Sequence, residues 1–331
     1  MPKALITTVP FADRNQLPLE QLTSAGIDYA INPLGRRLTE PELCDMVGEF
    51  DALIAGTEPI TEAVLDRARR LKLISRVGIG LDSVDLIGAE KRGVKVSYTP
   101  DAPAPAVAEL TVALMLCLLR SVHLANLQIH NGVWQRHIGR RIAEVTVGVI
   151  GAGRIGARVL RRIPAFGTPR VLVNDSNPNL KFDPNLKLEW VGKDEIYRHA
   201  DLITLHVPLT LHTRNMIRRE QLLQMKPDAL LINSSRGGIV NEHDLAEVMR
   251  AGHLGGAAID VFEHEPYSGE LTKIDRCLLT AHMGSMSIDC RVRMEIEATE
   301  EVVRFFKGQP LRSAVPADEY DMQRQERTAR T

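Results

Sequence analysis

The chain has 331 residues, enough for about two domains of roughly 150 residues each, and a folded chain of that size buries roughly three quarters of its surface without disulfide staples. Forty-one basic residues against 42 acidic ones leave a formal net charge of -1, which argues against a nucleic-acid scaffold or a polybasic membrane binder. Aromatic residues make up only 4%, too few for a platform that stacks single-stranded bases.

The amino terminus reads as a strand over residues 4–8; its apolar run is too short for a signal peptide and no cleavage site follows. Further strands are expected at 52–55, 73–75 and 94–97, with amphipathic helices at 61–68 and 84–92. That alternation predicts a parallel sheet covered by helices on both faces. Pro100, Pro103 and Pro105 break the pattern, because proline cannot sit inside a strand or a helix interior but can open a helix. A long helix is expected over 106–130; it is apolar nearly all round between Leu110 and Leu119, so it should be buried. That stretch is about half the length of a membrane span.

From Thr146 the alternation resumes, with strands expected at 146–150, 170–174, 202–205, 229–233, 257–260 and 278–280. Helices are expected between them at 154–166, 193–199, 219–225 and 242–251. This pattern matches a doubly wound, dinucleotide-binding sheet. A last long helix after Ser285, running to about Phe306, should carry the chain back to the first domain. The first domain is then discontinuous, 1–100 with 286–331, around a nucleotide domain at 101–285. The charge-rich residues 317–331 are expected to form a loosely ordered tail. Cys44, Cys117, Cys277 and Cys290 form no CxxC pair, so no metal site is expected and a reducing cytoplasm is the default compartment.

Gly151-Ala152-Gly153-Arg154-Ile155-Gly156 directly follows an apolar strand and opens a helix. In such a loop Gly151 allows the tight turn, Gly153 lets the backbone approach a pyrophosphate, and Gly156 permits close helix–strand packing. The helix amino terminus offers free N–H groups to the phosphates. Asp175 lies nineteen residues after Gly156, at the end of the next long strand, and no arginine follows it directly. A carboxylate there accepts from the ribose hydroxyls and repels a 2′-phosphate, so NAD is favoured over NADP.

Three later strands each end in a reactive group: Arg236 in Ser234-Ser235-Arg236-Gly237-Gly238, Asp260 and Glu265 in Asp260-Val261-Phe262-Glu263-His264-Glu265-Pro266, and His282 in Thr280-Ala281-His282-Met283-Gly284. With Ser75-Arg76-Val77-Gly78-Ile79-Gly80-Leu81-Asp82 and Leu205-His206-Val207-Pro208-Leu209-Thr210, these segments resemble the D-isomer-specific 2-hydroxyacid dehydrogenases, phosphoglycerate-dehydrogenase-like branch. The resemblance runs from about Leu71 to Gly308. It implies two doubly wound parallel-sheet domains, a Rossmann-type NAD domain and a flavodoxin-like substrate domain, with the active site in the cleft. It also implies a homodimer, for which the helix after Pro105 is a candidate contact.

The implied chemistry interconverts a D-2-hydroxy acid and its 2-oxo acid by hydride transfer. His282 would be the general acid, Glu265 would fix its tautomer, and Arg236 would hold the carboxylate with its planar donor fork. Glu263 competes with Glu265, and the adjoining proline matches the family at Glu265. Gly78, Ile79 and Gly80 would receive the substrate carboxylate beside Arg76. Arg154 and Ile155 would meet the pyrophosphate and Asp260 the nicotinamide end, with Val207, Pro208, Ser234, Ser235 and Gly284 along the cofactor. His206 and His264 fall at no catalytic position and read as structural or rim residues.

Two features depart from the family pattern. Ala281 replaces the usual proline before the catalytic histidine, and the loop Gly56-Thr57-Glu58-Pro59 lacks the arginine of phosphoglycerate-oxidising relatives. The given sequence stops near the return helix, so feedback through an appended regulatory domain is not expected. Two alternatives stay open: a phosphite-type dehydrogenase of the same family, and a non-catalytic NAD-sensing protein of the co-repressor type. Glu265 stands where formate enzymes have glutamine, which argues against that branch.

Overall fold

The structure, a computed structural model, describes residues 1–177 and 180–328. The chain divides into two compact units, Met1–Pro103 with Met286–Thr331, and Ala104–Ser285. The first unit opens with β1 (Lys3–Ile6), α1 (Leu17–Ser24), β2 (Asp28–Ile31), α2 (Glu40–Met46) and β3 (Ala52–Ala55). It continues with α3 (Glu62–Arg67), β4 (Leu73–Arg76), α4 (Leu86–Lys91) and β5 (Lys95–Ser97). Its sheet has the order β2-β1-β3-β4-β5, all parallel.

The second unit runs α5 (Ala104–Leu119), α6 (Val122–His130), β6 (Val147–Ile150), α7 (Arg154–Arg162), β7 (Val171–Asn174), β8 (Leu188–Trp190) and α8 (Lys193–His199). Then come β9 (Leu202–Leu205), α9 (Arg219–Gln224), β10 (Leu230–Asn233), α10 (Glu242–Arg250), β11 (Gly256–Ile259) and β12 (Cys277–Leu279). Its parallel sheet has the order β12-β11-β10-β9-β6-β7-β8. Helices α11 (Ile288–Phe306) and α12 (Ala317–Thr328) complete the first unit.

Every residue of β3, β4, β6, β9, β10 and β11 is buried. That is why these strands read as continuous apolar runs, as strands of a parallel sheet covered on both faces do. The helices between them begin at side-chain caps: Asp85 Oδ1 accepts the Gly88 N–H at 2.7 Å before α4, and Asn241 Oδ1 accepts the Asp244 N–H at 2.9 Å before α10. Such caps satisfy N–H groups that the first turn leaves orphaned.

Three features differ from the sequence expectations. Strands β2 and β8 were not expected; both are sheet edges with mostly exposed residues, so neither carries an apolar run. The single helix expected over 106–130 is two, because Ser121 takes φ 51° and the axis bends by 65° between α5 and α6. Nine-residue α6 has no buried residue, whereas α5 packs on α7 and on the middle of the sheet.

Residues 317–328 of the expected loose tail form α12, which docks on α4; the remaining tail positions lie outside the described residues. Gln323 Oε1 accepts the Leu86 N–H at 2.9 Å and its amide donates to the Val84 carbonyl at 2.8 Å. Arg324 pairs with Glu90 at 2.6 Å, Arg327 pairs with Asp85, and Tyr320 packs on the core. The helix is held by polar side chains, so its composition resembles that of a solvated tail. Among the described residues no single helix is long and apolar enough to cross a membrane.

Candidate active site

In the second unit β6 is followed by β7 on one side and, after β8, the chain crosses to β9 on the other. The crevice beyond the carboxyl ends of the strands at such a switch point is where ligands bind in open parallel sheets. The segments that follow β6, β7, β9, β10, β11 and β12 carry every residue expected to act in this unit, with Arg154, Ile155 and Gly156 at the start of α7 and Asp175 just past β7.

The glycine loop fits a dinucleotide. Gly151 takes φ 95°, and a Cβ there would strike the His206 carbonyl; a Cβ at Gly156 would strike the Gly151 carbonyl oxygen. At Gly153, by contrast, nothing lies within 4 Å of where a Cβ would stand, which leaves the backbone open to a close-lying ligand. Arg154 and Ile155 form the first turn of α7, where N–H groups and the helix dipole favour phosphate. Asp175 Oδ2 accepts the Ala152 N–H at 2.7 Å and Oδ1 the Asn177 N–H at 2.8 Å. The same carboxylate that would meet the ribose therefore also ties β7 to the glycine loop.

Val207 lies against Gly151, and Pro208 is exposed, with its carbonyl accepting from Thr213 Oγ1 at 2.6 Å. His206 packs beneath the loop, with Nε2 3.0 Å from Thr204 Oγ1. Burial pushes its imidazole down to about 3, so the ring is neutral. It is a packing residue, as its sequence position suggested. His264 is exposed.

Beyond β10, Asn233 braces the turn that carries the arginine. Its Oδ1 accepts from the Ser235 N–H at 3.1 Å and Ser235 Oγ at 2.7 Å, and its amide donates to the Arg236 carbonyl at 2.9 Å. Ser234 Oγ lies 2.9 Å from Thr111 Oγ1 of α5. A Cβ at Gly237 would collide with the Phe262 carbonyl, so a glycine is what lets the arginine turn press directly on the 262–265 loop. The Arg236 guanidinium donates to the Ser235 carbonyl at 2.6 Å.

His282 and Glu265 come together from different loops. Nδ1 of His282 lies 2.9 Å from Glu265 Oε2 and 3.1 Å from Oε1, and Oε1 also accepts the Phe262 N–H at 3.1 Å. Glu263 instead pairs with Arg214 at 3.6 Å, away from this contact. Nε2 of His282 has no hydrogen-bond partner among the described residues, and the side chain is 38% exposed. A carboxylate on one ring nitrogen and an open second nitrogen form an acid–base arrangement. His282 takes φ 47°, a left-handed conformation that costs a non-glycine residue roughly 1 kcal/mol or more. Asp260 is buried beneath this turn and Gly284 packs beside it, on Val107 of α5.

In the first unit the turn after β4 carries Gly78, Ile79 and Gly80, the residues expected to meet a carboxylate, beside Arg76. The Gly78 N–H already donates to Thr99 Oγ1 at 2.8 Å, so it is not an open donor. The N–H groups of Ile79 and Gly80 have no hydrogen-bond partner among the described residues. Arg76 is only 6% exposed; its guanidinium lies under Gly78 and donates to the Val77 carbonyl. It therefore underlies the turn and does not reach outward. Glu58 is buried at the end of β3, bonded to Thr7 Oγ1 and accepting the Gly56 N–H at 2.9 Å. Sequence reasoning missed Thr99, Asn233 and Thr280, polar residues that hold turns and look like ordinary loop composition.

A family profile described as "D-isomer specific 2-hydroxyacid dehydrogenase, NAD binding domain" matches residues 112–284. The chain is 34% identical over 274 residues to a hydroxypyruvate reductase of Thermotoga maritima, covering 81% of this chain and 88% of the relative. It is 36% identical to a D-3-phosphoglycerate dehydrogenase of Methanocaldococcus jannaschii, over 82% of this chain and 53% of the relative, so it spans about half of that protein. Its structure is similar to that of a D-lactate dehydrogenase of Aquifex aeolicus complexed with NAD and lactic acid, with a TM-score of 0.80, 26% identity, and coverage of 92% of this chain and 96% of the other. NAD is the cofactor that the matched domain is built to hold. The chain belongs to the D-isomer-specific 2-hydroxyacid dehydrogenase family.

Proposed function

We propose that this protein reduces a small 2-oxo acid to the D-2-hydroxy acid, and catalyses the reverse reaction, with His282 as general acid and base. The observation that carries the reading is the His282 imidazole, tied by Nδ1 to Glu265 at 2.9 Å with Nε2 open among the described residues. We assign cofactor binding to the second unit and substrate binding to the first.

The glycine loop, the start of α7 and Asp175 would hold the cofactor, whose reduced form, NADH, would supply the hydride for reduction and whose oxidised form, NAD, would accept it in the reverse direction. Asp175 is the residue that disfavours NADP in this reading. Glu265 fixes the proton on Nδ1, so Nε2 is the nitrogen that gives its proton to the carbonyl oxygen. Arg236 offers a planar fork of donors to the carboxylate and polarises the carbonyl. In the first unit the Ile79 and Gly80 N–H groups are donors suited to a carboxylate, with the buried Arg76 cation under the adjoining Gly78.

The substrate's own substituent is small and uncharged in this proposal. The loop Gly56-Thr57-Glu58-Pro59 has no basic residue to receive a phosphate, and Glu58 adds a buried acid at that end of the sheet. The test is NADH oxidation by purified protein against glyoxylate, hydroxypyruvate, pyruvate, oxaloacetate and phosphohydroxypyruvate, with phosphite and NAD run as a separate arm. Turnover of an uncharged-substituent acid supports the reading. Phosphite turnover, or NAD binding with silence across the panel, refutes it in favour of the phosphite or sensor alternative.

We also propose a homodimer in a reducing cytoplasm. Four free cysteines support the compartment. For the dimer, α5 is occupied within its own unit, whereas α6 has no buried residue and the segment after it exposes Trp134 and Ile138. Light scattering on the purified protein tests it; a monomeric mass refutes it.

A further inference from the structure

Asp260 follows β11 directly and is 1% exposed. Both of its carboxylate oxygens face the segment that carries His282. Oδ1 accepts from Thr280 Oγ1 at 2.6 Å and from the Met283 N–H at 2.9 Å, and Oδ2 accepts the Gly284 N–H at 3.0 Å. The Asp260 carbonyl accepts the His282 N–H itself at 2.7 Å. Four hydrogen bonds from one residue thus bracket the histidine on both sides, and the three made by the carboxylate are charge-assisted.

This arrangement answers a specific need. His282 sits at φ 47°, which a histidine holds only where its surroundings over-determine it. The preceding residue is Ala281, which has no ring to restrict the backbone, so the turn's shape depends on what grips it. Thr280 contributes a hydroxyl whose partner is Asp260, and its own N–H donates to the Ile259 carbonyl at 3.0 Å, continuing the strand pairing up to the turn.

We propose that Thr280 and Asp260 act as a positioning pair that holds His282 in its left-handed turn and so aims the imidazole; the proposal rests on His282 being the general acid. Among the described residues Thr280 makes no hydrogen bond to Glu265 or to the arginine turn, and it is the cleaner residue to perturb. Asp260 is also expected at the nicotinamide end, so its replacement mixes two effects.

The experiment compares wild type, T280V, T280S, H282A and T280V/H282A on whichever 2-oxo acid the wild type turns over. Valine keeps the shape and removes the hydroxyl. T280V should lower kcat by about tenfold, with KM and the NADH dissociation constant within about twofold of wild type. T280S, which restores the hydroxyl and lacks the methyl, should recover most of kcat. In the H282A background the added T280V change should alter residual turnover by less than about twofold, because a residue acting through histidine has nothing left to aim.

Wild-type kcat in T280V overturns the inference. So does T280S as impaired as T280V, which would assign the effect to the methyl group, and so does a full loss repeated in the H282A background. If T280V does not fold, T280S decides instead: a kcat well below wild type overturns the pair's role, since the hydroxyl is retained. A wild type inactive on every 2-oxo acid refutes the functional reading itself, a result distinct from any of these.

Discussion

Replacing Glu265 with glutamine tests the relay in its sharpest form. In the structure the carboxylate spans two donors, His282 Nδ1 at 2.9 and 3.1 Å and the Phe262 N–H at 3.1 Å. Glutamine keeps one oxygen and loses the charge. That oxygen can still fix the tautomer by accepting from Nδ1, but the amide nitrogen then faces a second donor. A hydrogen bond to a charged group contributes roughly 1.5–3 kcal/mol. The side chains of His282 and Glu265 are 38% and 26% exposed, so solvent screening places the expected loss in the lower half of that range. At 1.36 kcal/mol per decade, about 1.5–2 kcal/mol is a roughly ten- to thirtyfold fall in kcat. Steady-state kinetics of E265Q against wild type read it, with the NADH dissociation constant measured separately. Unchanged kcat would refute the relay, and so would a loss confined to NADH affinity.

Three further outcomes follow from other parts of the molecule. D175A should weaken NADH binding and reduce the preference against NADPH together, because Asp175 also accepts the Ala152 and Asn177 N–H groups; titration with both cofactors checks it, and retained selectivity contradicts the ribose assignment. R236A should raise KM and lower kcat at once, costing on the order of a hundredfold in kcat/KM, and R236K should recover little because lysine lacks the planar fork. His206 is held at about 3 in the fold against about 6.5 unfolded. Its contribution is present above pH 6.5 and is lost as pH falls toward 3, by up to ~1.4 kcal/mol per pH unit, since only the unfolded chain then takes the proton. Urea unfolding of H206N across that window should show a shallower slope than wild type; parallel curves would contradict the buried neutral ring.

Much of this architecture was legible in the sequence because its strands are buried on both faces and read as continuous apolar runs. β3 and β9 fall at the expected residues, and the other expected strands shift by only a residue or two at an end. What stayed hidden obeys other physics. β2 and β8 are exposed edges whose evidence is backbone pairing, which leaves no apolar signature. The turn at Ser121 interrupts a composition that reads as one helix. α12 docks through Gln323, Arg324 and Arg327, residues that composition alone assigns to solvent.

At the site, the glycine loop, Asp175 and the three reactive side chains each announce themselves by position after a strand. The partners that hold them do not. The N–H of Gly78 is taken by Thr99, twenty-one residues away, and no local pattern reports that contact. Arg76 reads as a neighbour of the carboxylate loop, and no local pattern reports its burial under Gly78. Chemistry-bearing residues are legible because few residue types can do their work, whereas the polar residues that brace a turn are drawn from the commonest loop composition.

The most direct measurement is turnover by H282A beside wild type, with NADH affinity determined for both proteins. The account predicts a fall in kcat of about a hundred- to ten-thousandfold, the usual worth of a positioned general acid, with NADH bound within about threefold of wild type. Turnover near the wild-type rate in H282A would contradict the assignment of His282, and with it the central claim that this site moves a proton to a 2-oxo acid.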